Sequence, residues 1–368
     1  MSMVVAYQPR GREAGLPFSG RTGAHNAITD VPGVEVGHAT LVSGDGPLVT
    51  GSGPVRTGVT VVLPRGRGDT LMPVRAGVHS LNGNGEMTGT HWIEEAGIFR
   101  GPIAVTNTHS VGIAHQALVR WMVRQGGDRG AYPWLLPVVA ETCDRWLSDM
   151  DGMHVQEQHV LDALEAARPG PVAEGNVGGG TGMISYGFKG GIGTSSRIAR
   201  VGGQDYCVGA LVQANMGVRA ALNLFGVPVG RHMRVATPRP PREQGSIIAI
   251  VATDAPLLPG QAKRLARRAG LGMGRTGTAS GDGSGDIFLA FSTAPEAAPD
   301  AQGLCHASYL PHHHLDPLFE AVVEAVEESI VNALLAARTM VGRDGHRVEA
   351  IDVPELLRLV RAAHPAPA

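Results

Sequence analysis

Cysteine and charge are both scarce in this chain. Cys143, Cys207 and Cys305 are the three thiols among 368 residues; they stand far apart with no C-x-x-C spacing, so neither a disulfide framework nor a cysteine-built zinc site is expected. Charged residues make up 17% and the formal net charge is -2. No basic field exists for nucleic acid, and no block of like charge suggests a tail. Long apolar runs are missing too: no uncharged stretch approaches the ~20 residues of a membrane span. Residues 1–17 hold a short apolar run before Pro9 and Arg10, far less than a secretory core, so a cytoplasmic protein without membrane contact is expected. No G-x-S-x-G elbow occurs, which argues against a hydrolase triad of that type. His312, His313 and His314 are adjacent and lack an acidic partner at ligand spacing, so no metal is expected. Residues 272–277 fit G-x-G-x-x-G, but they follow a helical pattern instead of opening one after a strand, and read as a turn. No cofactor is called for.

What the chain has in abundance is glycine, 52 residues, about twice the usual ~7% share. The glycines cluster without period at 83–85, 178–180 and 281–283, marking tight turns and close backbone approaches. Hydrophobic residues reach 43%, enough for a large core. Apolar, β-branched runs predict strands at 57–63, 101–106, 137–140, 191–214 (two) and 286–292, with the strongest at 246–253. Helical spacing predicts helices at 111–124, 156–168, 259–269 and 315–339, with a glycine-rich turn over 270–285. Strand and helix do not alternate regularly, so a layered α/β sandwich fits better than a doubly wound parallel sheet.

The chemistry concentrates at one seam. Residues 226–245 lose apolar periodicity and alternate proline with arginine, reading as an exposed, cleavable loop, and the buried strand beginning at Ser246 follows directly. A Gly-Ser pair can simply begin a strand. It also suits self-cleavage, because Gly245 leaves its carbonyl unshielded against the Ser246 hydroxyl. Cleavage would leave Ser246 with a free α-amine, whose ordinary pKa of about 7.7–8.0 makes it a usable base near neutrality.

The segments 245–257 (GSIIAIVATDAPL), 211–217 (LVQANMG) and 281–286 (GDGSGD) together resemble the family of L-aminopeptidase/D-esterases and β-peptidyl aminopeptidases. The likeness runs from 27–34 (AITDVPGV) to 342–346 (GRDGH), nearly the whole chain. It implies a four-layer α/β/β/α sandwich, like the amino-terminal-nucleophile hydrolases but differently connected. It implies a single domain, 1–368, self-processed into an α chain of 1–245 and a β chain of 246–368 that stay together and assemble as several α/β pairs. It implies removal of small L-, D- or β-residues from the amino end of peptides, amides or esters through an acyl-enzyme on Ser246. Asn215 would then donate to the oxyanion, Ser284 and Asp286 would form a relay beside the nucleophile, and Glu141 would anchor the substrate's ammonium. Relatives often carry glutamate where this chain has Asp286 and tyrosine where it has Cys143, next to the substrate. Two alternatives stay open from the residues alone: an acyltransferase of the ornithine acetyltransferase type, which uses threonine as nucleophile, and an uncleaved, non-catalytic homologue. His109, in the polar cluster at 107–110, is a further pocket candidate.

Overall fold

The computed structural model describes residues 9–126, 134–235, 245–295 and 300–364. In chain order the strands are β1 (Glu35–Ser43), β2 (Val55–Leu63), β3 (Val74–Gly83), β4 (Ile98–Phe99), β5 (Ile103–Asn107), β6 (Val138–Thr142), β7 (Ile184–Ser185), β8 (Phe188–Lys189), β9 (Gly191–Val201), β10 (Gln204–Asn215), β11 (Ser246–Thr253), β12 (Gly285–Ser292), β13 (Met340–Val341) and β14 (Arg347–Val348). The helices are α1 (Thr90–Ala96), α2 (Val111–Gln125), α3 (Glu157–Ala166), α4 (Val229–His232), α5 (Pro259–Arg275), α6 (Asp316–Ala336) and α7 (Val353–Ala363).

Two sheets stack face to face. One has the order β4-β3-β12-β11-β10-β9 and the other β1-β2-β5-β6. Helices α5 and α6 cover the outer face of the first, while α2 and α3 cover the second, giving the α/β/β/α layering. Every residue of β11 and β12 is buried, because these central strands have helices on one side and a sheet on the other. Alternation then sorts their side chains into two cores. Ile247, Ala249, Val251, Phe288 and Ala290 pack toward α5 and α6, whereas Ile248, Ile250, Ile287 and Leu289 fill the space between the sheets.

The strand expected at 246–253 has those limits in the structure. Elsewhere three readings change. Helix α5 continues through Gly270, Gly272 and Gly274 to Arg275, so residues 272–275 lie in a helix and not in a turn. Gly272 is there because α6 passes close by: a methyl group on it would stand 2.6 Å from the Val323 carbonyl oxygen. Glu141 lies inside β6 instead of beyond a strand end. The segment expected to be an exposed loop contains α4, with Val229 and Met233 buried, while its proline-arginine part at 236–244 lies outside the described residues. Among the described residues no helix is long and apolar enough to cross a membrane.

Candidate active site

Strand register builds the site. β10 and β11 run antiparallel with Asn215 directly opposite Ser246, and β11 and β12 run parallel with Ser246 beside Gly285. Directly opposed residues share a face with Cβ atoms ~5 Å apart. That face is the inter-sheet one, since Ser246 follows the parity of Ile248 and Asn215 that of Leu211. Ser246 is 7% exposed, and its Oγ accepts the Gly285 N–H at 3.3 Å. Just before it, Gly245 lies so close to β10 that a methyl group there would stand 1.9 Å from the Asn215 carbonyl oxygen. Only glycine fits this junction, for reasons of space.

The Asn215 amide is held at both ends. Its Oδ1 accepts the Ile184 N–H at 2.8 Å, and its Nδ2 donates to the Cys143 carbonyl at 3.1 Å. An N–H can only donate and a carbonyl can only accept, so the amide's orientation is fixed. It has a second Nδ2 hydrogen to offer.

Glu141 comes from the other sheet. Its Oε1 accepts the Glu86 N–H at 3.1 Å, and its Oε2 accepts the Thr108 hydroxyl. Burial pushes its carboxyl up, those two bonds pull it down, and the charge of Glu86 pushes it up again. Gly85 wedges between this carboxylate and β12: a methyl group on it would stand 3.2 Å from Glu141 Oε1 and 3.3 Å from Gly285 Cα. The glycine cluster at 83–85 thus lets a backbone pass between Glu141 and the residue paired with Ser246.

Asp286 is wholly buried and accepts from Ser284 Oγ at 2.7 Å and from Ser280 Oγ. It shares the parity of Phe288, whose side chain packs on the helix side of the sheet, so Asp286 flanks the head of β11 from the opposite face to the Ser246 side chain. Cys143 contributes its carbonyl to Asn215, while its Sγ lies 3.8 Å from Met150 Sδ. His109 stands at the edge, its Nδ1 3.1 Å from Asp151 Oδ1; in the 107–110 cluster it is the hydroxyl of Thr108 that binds Glu141. Sequence reasoning passed over Lys189 and Asp144, both wholly buried beside these groups. The 312–314 histidines form an exposed turn, and no group of three or more metal-ligating side chains occurs among the described residues.

The four-layer sandwich is that of the amino-terminal-nucleophile-like hydrolases. Within that class the chain belongs to Peptidase family S58, which matches residues 26–348. It is 48% identical, over 96% of its length and 92% of the relative's, to the β-peptidyl aminopeptidase of Sphingosinicella microcystinivorans. Among solved structures it resembles the L-aminopeptidase D-Ala-esterase/amidase of Ochrobactrum anthropi, a prototype for the serine aminopeptidases and a variant of the amino-terminal-nucleophile hydrolase fold (TM-score 0.90, 50% identity, 98% of this chain and 100% of the other). A β-aminopeptidase from Burkholderia sp. is similar as well (TM-score 0.88, 47% identity, 98% and 100%). The protein is a serine aminopeptidase, and neither the acyltransferase nor the non-catalytic alternative is favoured.

Proposed function

We propose that the precursor cuts itself between Gly245 and Ser246 and that Ser246 then removes small amino-terminal residues from peptides, amides or esters. The observation that carries this reading is the registered pair Asn215–Ser246, with the Gly245 carbonyl leading directly into it. In the first reaction Ser246 Oγ attacks the Gly245 carbonyl carbon, the peptide C–N bond breaks, and the hydroxyl proton passes to the freed nitrogen. Water then hydrolyses the ester, leaving a carboxylate on Gly245 and both a hydroxyl and an α-amine on Ser246. In turnover the amine accepts the Oγ proton as Oγ attacks the substrate's first acyl carbon, and passes it to the leaving amine. A second water releases the amino acid from the acyl-enzyme.

The second Nδ2 hydrogen of Asn215 receives the oxyanion in both reactions, a contribution typically of ~3–4 kcal/mol. Glu141 takes the substrate's ammonium, for which its buried carboxylate is suited. Ser284 and Asp286, hydrogen-bonded to each other beside the head of β11, hold the new terminus in this reading, and the α-amine acts as base. The two chains remain together because β11 sits in the middle of a sheet whose neighbour β10 belongs to the other chain. The relatives are named for β-peptides and for L-amino acids and D-alanyl esters, and one of these is the proposed substrate class here. Ser246→Ala should give one band of full length on a denaturing gel and no hydrolysis of β-alanyl, L-alanyl or D-alanyl p-nitroanilide. Wild-type protein should give two bands, the smaller beginning Ser-Ile-Ile-Ala. A variant that still splits refutes the assignment.

A further inference from the structure

Lys189 is wholly buried, and its Nζ donates to three main-chain carbonyls, those of Met183 at 2.8 Å, Gly190 at 2.9 Å and Gly180 at 3.2 Å. Three acceptors around one nitrogen complement the three hydrogens of an ammonium; a neutral amine would turn its lone pair onto a carbonyl oxygen. Burial pushes the group down to about 7, while three carbonyl acceptors favour its charged form.

One of the three acceptors leads to the site. The Met183 carbonyl and the Ile184 N–H are the two ends of a single peptide group. The carbonyl accepts from Lys189, and the N–H donates to Asn215 Oδ1 at 2.8 Å. A cation on the carbonyl withdraws electron density through the peptide's resonance and strengthens the N–H as a donor; that bond polarises the Asn215 amide in turn and strengthens its Nδ2 hydrogens. The chain of groups is therefore ammonium, peptide 183–184, Asn215 amide.

We propose that Lys189 is a positioning residue for acyl transfer, acting through the Met183–Ile184 peptide to orient and polarise the Asn215 amide toward the oxyanion. The proposal rests on the reading of Asn215 as the oxyanion donor. Lys189 touches no reacting atom. A lysine that only stapled the 178–190 loop would affect stability and leave the chemistry of the folded protein alone. A lysine acting through Asn215 affects the transition state and not substrate affinity.

The test uses the full-length protein with Lys189→Met, Asn215→Ala and the double variant, following conversion of precursor to two bands and hydrolysis of β-alanyl p-nitroanilide per processed molecule. Lys189→Met should slow both reactions about 10-fold or more, short of the ~10²–10³ expected for losing the donor itself, with KM unchanged. Added to Asn215→Ala it should change nothing further, because the group it acts on is gone. Should Lys189→Met melt below the assay temperature, Lys189→Gln, which is neutral but keeps two donor hydrogens, carries the same measurement. Wild-type kcat in a folded Lys189 variant, a rise in KM alone, or losses that add to those of Asn215→Ala would overturn the proposal. Full activity in Asn215→Ala would instead remove the reading of Asn215 beneath it, and the single-variant results would show which of the two had failed.

Discussion

The surroundings of Glu141 push its carboxyl up, burial most of all. It is 3% exposed and sits near a second carboxylate, Glu86, with a hydroxyl and an N–H as compensation. If Glu141 is the proposed anchor, a substrate ammonium arriving there would restore what burial removes. Glu141→Gln keeps the shape and an acceptor oxygen but loses the charge, and a hydrogen bond to a charged group contributes ~1.5–3 kcal/mol. The expected outcome is a KM for β-alanyl p-nitroanilide raised about 10-fold or more, with kcat moving far less. An unchanged KM would exclude this anchor. At this scale the sequence was informative where a polar residue ends or interrupts an apolar strand, as Asn215, Ser246 and Glu141 do. It was silent on Lys189, since a lysine in Phe-Lys-Gly-Gly looks like any surface lysine until the surrounding glycine turns bury it. In the 107–110 cluster it is Thr108 that bonds Glu141 while His109 faces Asp151, and no local pattern says which of two neighbours turns inward.

Elements were legible in proportion to how many of their faces are buried. β11, apolar from Ile247 to Ala252 and buried on both sides, could be delimited to the residue, while β3, with Arg75, His79 and Ser80 among its residues, shows a pattern that only its pairing with β12 explains. The end of α5 was obscured by glycines that serve helix packing instead of a turn. The register of β10 against β11 is the element-scale feature on which the proposed chemistry depends, and Gly245 packs tightly against it. In Gly245→Ala the new methyl would overlap the Asn215 carbonyl, 1.9 Å away, and approach Met216 Cα at 2.7 Å, both backbone atoms that cannot swing aside. Ser246 must then leave its place opposite Asn215. A displacement of ~1 Å at a reacting centre can cost ~10²-fold, so conversion of the Gly245→Ala precursor to two bands should slow by about that factor. A time course matching wild type would show that the junction tolerates the methyl and that the close fit has no part in cleavage.

Across the whole molecule, the two sheets adhere through apolar side chains over most of their area and through polar ones at the end where the site lies. There Gln213 of β10 donates to the Thr106 carbonyl and to Thr142 Oγ1 of the opposite sheet, and Asn107 donates to Thr57 and to Asp144 Oδ2 at 3.1 Å. Asp144 directly follows the Cys143 carbonyl that holds Asn215, so this network supports the site from behind. Its carboxyl is pushed up to about 6 from an ordinary 3.8, chiefly by burial and further by Glu141, against hydrogen bonds from Thr57 and Asn107. Between those two values the folded protein binds more protons than the unfolded chain. Stability contributed at this position therefore falls as pH rises through the window, and above about 6 the full penalty of an ionised buried carboxylate applies, on the order of 3 kcal/mol. Asp144→Asn removes the titration and keeps an acceptor for Asn107. Thermal melting of both proteins from pH 4 to pH 8 should show little difference at the acid end, a growing advantage for the variant up to about pH 6, and a constant gap beyond. A gap independent of pH would mean that Asp144 is ionised in folded and unfolded protein alike, and that the polar end of the sandwich is wetter than its packing indicates.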